Sequence, residues 1–127
     1  MRESGEMYLE TILVLGRKQP VVRAIDVVEE MSFSRASVSR ALSRLRADNC
    51  VTVDKAGHIA LTNKGYEIAS KIYERHQVLS KVLMDLGVDE QTALDDACRI
   101  EHVISDKSFE VIKDTCRRAA EKAAAEK

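Results

Sequence analysis

Residues 34 to 61 constrain the fold of this chain more than any other stretch. Arg35 to Asp48 has helical spacing: Val38, Leu42 and Leu45 form one apolar stripe, while Ser37, Arg40 and Arg44 fall at i, i+3 and i+7 on another face. Ser34 stands where its hydroxyl can accept an orphan amide of the first turn. Directly afterwards Cys50–Asp54 and His58–Leu61 read as two short strands joined across Lys55-Ala56-Gly57. Upstream, Arg23 to Met31 predicts a further helix with Ile25, Val28 and Met31 inward, linked through the short turn Ser32-Phe33-Ser34. Helix, turn, helix and then a β-hairpin is the winged helix-turn-helix pattern.

The polar face of the Arg35–Asp48 helix suggests what it touches. Arg35, Arg40, Arg44 and Arg46 stand against one acid, Asp48, in a chain whose net charge is −1. Small hydroxyls permit close approach to a duplex, and arginine can fork onto guanine or phosphate. Candidate DNA contacts are therefore Ser34, Arg35, Ser37, Ser39, Arg40 and Arg44, with Lys55 and His58 at the hairpin tip. An ordinary solvated Arg face would have the same composition, and the neighbouring hairpin argues against it. Cys50, opening a strand beside apolar residues, reads as a small buried hydrophobe.

Around this module the chain is mostly helical. Five Gly, a single Pro, no Trp and 4 % aromatic residues leave little material for a large sheet. A first helix is predicted from about Glu3 to Gly16, ending before the Lys18-Gln19-Pro20 break. Thr62 caps a long helix running to about Leu86, with Gly87 as left-handed terminator. Two more helices follow, about Glu90–Ile104 and Asp106–Glu121, the second with Phe109, Ile112 and Cys116 on one side. The Ala-, Glu- and Lys-rich tail is a strong helix former expected to fray. The fold class is mainly α, with a DNA-binding winged helix-turn-helix domain over 1–71 and a helical metal-binding and dimerisation domain over 72–127. Three helices are too few to bury their own apolar faces, which implies a second copy.

Within the last quarter, Cys98, Glu101 and His102 fall at i, i+3 and i+4, so a helix there puts thiol, carboxylate and imidazole on one face. Three residue types that bind transition metals then converge on one surface. Taken alone, the spacing also suits a half-buried helix with two polar residues at its surface. Met7 and Glu10 share a face of the first helix, and His76 lies midway along the long one. By themselves these read as core filling and solvated surface.

Three cysteines are an odd, sparse set, unlike a disulfide framework. The first residues have no apolar signal region, and no run approaches the roughly 20 apolar residues of a membrane span. The expected setting is a reduced cytoplasm, with no membrane association.

In sum, the winged module, Arg-His-Gln-Val-Leu at 75–79, Asp-Ala-Cys-Arg-Ile-Glu-His-Val-Ile-Ser at 96–105 and the opening Glu-Met-Tyr-Leu-Glu-Thr-Ile resemble the diphtheria-toxin-repressor family of metal-dependent regulators. The resemblance covers nearly the whole chain. It implies that Met7, Cys98, Glu101 and His102 are primary metal ligands, that His76 ligates as in both the iron and manganese branches, and that Glu10 ligates as in the manganese branch. Ser80 and Leu94 stand where iron-type members place ancillary ligands, a departure from that pattern. The β-barrel domain of longer members has no counterpart here. The resemblance further implies a homodimer whose metal-loaded form binds a palindromic operator and represses metal-uptake genes.

A thioether and a thiol beside imidazole and carboxylate form a borderline-soft set that favours Fe2+ over Mn2+, with Co2+, Ni2+ or Zn2+ able to substitute in vitro. Competing readings are a Mn2+-sensing repressor of the same build, a metal-independent winged-helix protein, and a small metalloenzyme. An enzyme would need an open coordination position, a base and a substrate cleft, for which the chain has no evident residues.

Overall fold

The computed structural model describes residues 3–126. Along it run α1 (Glu3–Lys18), α2 (Ala24–Met31), α3 (Arg35–Ala47), β1 (Val51–Val53), β2 (Ile59–Leu61), α4 (Asn63–Asp85), α5 (Glu90–Ile100) and α6 (Asp106–Ala125). The chain divides into two units, Met1–Tyr73 and Glu74–Lys127, the division falling within α4.

In the first unit α1, α2, α3 and the hairpin enclose one core. Leu9, Val27, Val38 and Cys50 are fully buried there, together with Leu42, Leu45, Val51, Ile59 and Ala69. The α3 stripe Val38–Leu42–Leu45 faces this core as its spacing predicts. Ser34 caps α3, its hydroxyl accepting the Ser37 amide at 3.1 Å. On α2 the inward face is set by Val27, while Ile25, expected inside, is 40 % exposed. With only two turns between the Arg23 cap and the left-handed Ser32, the buried stripe of α2 is narrow.

β1 and β2 pair antiparallel, Val51 opposite Leu61, Thr52 opposite Ala60 and Val53 opposite Ile59. The Ile59 amide donates to the Val22 carbonyl at 2.8 Å, which ties the hairpin to the segment before α2. Gly57 takes a positive φ of 83° at the hairpin turn, a conformation that costs any residue with a Cβ. Behind the hairpin, Thr62 accepts the Gly65 amide at 3.1 Å and donates to the Asn49 carbonyl at 2.7 Å. A Cβ at Gly65 would run into the Cys50 carbonyl, so this position admits only glycine without a backbone shift.

The second unit holds the end of α4 with α5 and α6. α4 stops at a left-handed Gly87 (φ 105°), with Gly87 N–H bonded to the Met84 carbonyl at 3.0 Å and Val88 N–H to Leu83 at 2.9 Å. That pair of bonds is the Schellman closure expected of a C′ glycine. Asp89 caps α5 and Ser105 caps α6 through the amides of Thr92 and Ser108. α5 ends at Ile100, four residues earlier than its periodicity suggested, and Glu101 to Val103 form a turn. The buried residues of this unit are few: Leu79, Ala93, Ala97 and Phe109, with the polar Arg75, Ser80 and Glu101. Met84, Leu86, Val103 and Val111 are exposed apolar side chains. No helix among the described residues is long and apolar enough to cross a membrane.

Candidate metal centre and nucleic-acid interface

Three elements of the second unit carry the candidate ligands. α4 carries His76, the last turn of α5 carries Cys98, and the turn after α5 carries Glu101 and His102. One ligand atom each from His76, Cys98 and Glu101 lie within 4.8 Å of one another. His76 Nδ1 is 2.9 Å from Glu101 Oε2, and Cys98 Sγ is 3.9 Å from His76 Nδ1. His102 Nε2 is 3.4 Å from Glu101 Oε1, and both side chains are 1 % exposed. The two carboxylate oxygens thus face two different imidazoles.

The His76, Cys98 and Glu101 donors fit a divalent cation, while His102 lies beside the second oxygen of Glu101. Ligand bonds of about 2.0–2.3 Å in a tetrahedron put donor atoms about 3.3–3.8 Å apart, and the separations above bracket that range. A buried carboxylate without a cation is costly, whereas one beside imidazole and thiolate is the normal environment of a bound transition metal. Cys98 is exposed and Glu101 buried, so the cluster is open on its thiol side.

The remaining expected ligands lie on α1 of the first unit. Met7 and Glu10 are half-buried and three positions apart, on one helix face. The Met7 carbonyl accepts the Thr11 hydroxyl at 2.9 Å, a bond within the helix. Ser80 is buried and turns its hydroxyl onto the carbonyls of His76 at 2.7 Å and Gln77 at 3.2 Å. Leu94 on α5 offers no donor atom.

In the first unit the outer face of α3 presents Arg35, Ser39, Arg40 and Arg44 to solvent, with Ser37 half-buried. The Ser37 hydroxyl accepts from Ser34 Oγ at 2.9 Å and from Arg40 Nη2 at 3.4 Å, a chain that pre-orients Arg40 along the helix. Arg44 also borders a cavity of about 450 Å³ lined by Tyr8, Ala41, Leu45 and Asp48. Burial raises the Tyr8 phenol above its ordinary range, an effect opposed by the Arg40 charge. Lys55 is exposed at the hairpin turn. His58 is held in place, with Arg23 Nη2 at 3.1 Å from Nε2 and Asp54 Oδ2 at 3.4 Å from Nδ1. The sequence marks Arg23 as a helix start and Arg75 as the first residue of the Arg-His-Gln-Val-Leu run, but the contacts of both side chains join elements distant in sequence and have no local signature.

A basic recognition helix with its wing, joined on one chain to a thiol–imidazole–carboxylate cluster, defines a metal-responsive DNA-binding regulator. Comparison with known proteins agrees. Residues 1–59 match the iron dependent repressor N-terminal DNA binding domain, and residues 62–122 match the iron dependent repressor metal binding and dimerisation domain. The HTH-type transcriptional regulator MntR of Bacillus pumilus is 32 % identical over 111 residues, covering 87 % of this chain and 77 % of that protein. An uncharacterized HTH-type transcriptional regulator of Methanocaldococcus jannaschii is 31 % identical over 115 residues, covering 89 % and 92 %. The solved structure of the manganese regulator SloR superposes with a TM-score of 0.80 at 28 % identity over 89 % of this chain. The chain spans about half of SloR, 53 % of its length. The chain belongs to the iron-dependent repressor family, and is a metal-dependent, DNA-binding transcriptional repressor.

Proposed function

We propose that the protein is a homodimeric repressor, activated by Fe2+, that binds a palindromic operator and controls genes of metal uptake. The proposed domains are 1–71 for DNA and 72–127 for metal and dimerisation. The proposed ligands are Met7, Glu10, His76, Cys98, Glu101 and His102. The proposed DNA contacts are Ser34, Arg35, Ser37, Ser39, Arg40, Arg44 and Lys55. The single observation that carries the reading is Glu101, a buried carboxylate between two imidazoles with the Cys98 thiol alongside. A divalent cation bound there supplies the positive charge that satisfies carboxylate and thiolate together.

Glu101 and Cys98 would hold the cation with charge, while His76 and His102 would give neutral donors. Exposed apolar residues on the second unit, Leu86, Val103 and Val111, support a second copy as the partner. Two copies would then offer their α3 helices to successive major grooves, about 34 Å apart. Metal and operator are linked, so the operator must tighten metal by the same factor that metal tightens operator. The reading assigns no enzymatic role and a cytoplasmic location.

Sulfur donors support iron, and so does the family description. Glu10 and the likeness to a manganese regulator support Mn2+ as the second reading. The test is a DNA-binding titration on the chain's own upstream region, first in chelator and then with each divalent ion. Fe2+ restoring binding that chelator abolished is the expected result. Restoration by Mn2+ alone favours the second reading, and undiminished binding in chelator removes metal control altogether.

A further inference from the structure

Arg75, the residue before His76 on α4, is only 6 % exposed. Its Nη1 donates to the Glu101 carbonyl at 3.1 Å and to the Ile104 carbonyl at 2.9 Å. Its Nη2 donates to Asp106 Oδ1 at the start of α6. The guanidinium carbon lies 5.6 Å from the centre of the Phe109 ring. One planar cation therefore binds both ends of the turn that carries Glu101 and His102, and the first residue of the helix that follows.

That turn needs such a tether. α5 has already ended, and the turn's backbone bonds include Glu101 to the Ala97 carbonyl and Val103 and Ile104 to the Ile100 carbonyl, each at 3.0 Å. Nothing in that pattern sets the turn's distance from α4. The exposed Lys113–Glu74 pair links α6 to α4 at 3.1 Å, but solvent-screened pairs of this kind hold geometry weakly. A buried guanidinium with fixed, forked donors holds it far better.

We propose that Arg75 is a positioning residue for the metal centre: by clamping the Glu101 and Ile104 carbonyls and Asp106 to α4, it sets the Glu101 carboxylate against His76 and ties the ligand-bearing turn to the start of α6. Arg75 touches no metal itself, and acts through the backbone of a ligand. The proposal rests on the metal-site reading above. Outer partners that orient ligands are typically worth about 10–100-fold in metal affinity.

The experiment is a Co2+ titration of the full chain, followed by the thiolate-to-cobalt and ligand-field absorption bands, in wild type and Arg75→Lys. Lysine keeps the charge but cannot fork onto two carbonyls and a carboxylate. The expected result is a variant that retains its helical circular dichroism, binds Co2+ about 10-fold or more weakly, and has altered ligand-field bands. Its metal-free amides at Val103 and Ile104 should exchange faster than wild type. A folded Arg75→Lys with affinity within about two-fold of wild type and the same spectrum overturns the clamp. Should Arg75→Lys not fold, Asp106→Asn decides, with weaker Co2+ binding and faster exchange at those amides expected and unchanged values fatal. Wild type that binds no Co2+ fails the site reading instead, a separate outcome.

Discussion

Glu101 Oε2 lies 2.9 Å from His76 Nδ1, across a sequence separation of 25, and the Glu101 side chain is 1 % exposed. A carboxylate withdrawn this far from water is tolerated only with compensating partners, which here are two imidazoles and, in the proposed loaded state, a cation. Glu101→Gln keeps shape while removing charge and turning one acceptor oxygen into a donor. We expect its metal affinity to fall by more than the 10–100-fold typical of outer partners, with the metal-free fold intact. Glu101→Ala should also lose about 1–3 kcal/mol of stability, because it leaves the buried His102 imidazole facing a void. Isothermal titration and urea denaturation separate the two effects, and unchanged metal affinity in Glu101→Gln would exclude Glu101 as a ligand.

Arg40 extends from the outer face of α3, steadied by Ser37. Arg40→Ala is expected to cost about 1–3 kcal/mol on the preferred operator and to relax base preference at one position. Binding measured on a panel of single-base operator variants checks this. Equal weakening on every variant would make Arg40 a phosphate contact, as expected for Lys55→Ala, which should instead lower the salt slope by about 1.

Met7 contributes a thioether to the proposed ligand set. Met7→Asp hardens that set, and activation of DNA binding should shift from Fe2+ toward Mn2+. Operator binding titrated with each ion in parallel reads the ratio, and a ratio equal to wild type would count against Met7 as a ligand.

Asp89 caps the helix that bears Cys98, and the Thr92 amide and hydroxyl both donate to it at 3.0 Å. Those bonds, the backbone one foremost, hold its carboxyl below the ordinary 3.8. A native value below the unfolded one means the cap stabilises fully above 3.8 and loses that contribution as pH falls from there through the depressed native value. Asp89→Asn keeps a capping oxygen but does not titrate. Wild type should therefore lose stability relative to Asp89→Asn as pH is stepped down through this window in urea denaturation. A gap that stays constant with pH would mean the bonds to Thr92 do not favour the ionised form.

Gly65 lies in the first turn of α4 against the Cys50 carbonyl, which itself accepts the Thr62 amide at 3.0 Å. The obstacle is backbone, so Gly65→Ala must displace the strand or the helix. A loss of about 1–3 kcal/mol is expected, as for overpacking elsewhere. Thermal unfolding tests it, and an unchanged midpoint would show that the first turn of α4 shifts freely.

Much of this architecture is written in short-range pattern. The α3 stripe, the Ser34 cap, the hairpin around Gly57 and the Gly87 closure each depend on residues a few positions apart, where periodicity and capping chemistry act. Ile25 shows where pattern weakens: on a two-turn helix an apolar residue can lie at the edge of the stripe, and neighbours decide its burial. The end of α5 shows it again, since Glu101 to Ile104 continue the helical spacing yet form a turn whose carbonyls Arg75 takes.

The candidate ligand types and the basic face of α3 were legible in the chain itself, because residue type and spacing along one element are local properties. The meeting of His76 with Glu101, the buried Arg75 with its carbonyl partners and the inward Ser80 hydroxyl were decided only by tertiary structure. They join elements distant in sequence, and which polar groups end up sharing a desolvated space depends on how helices pack rather than on the order of residues within any one of them.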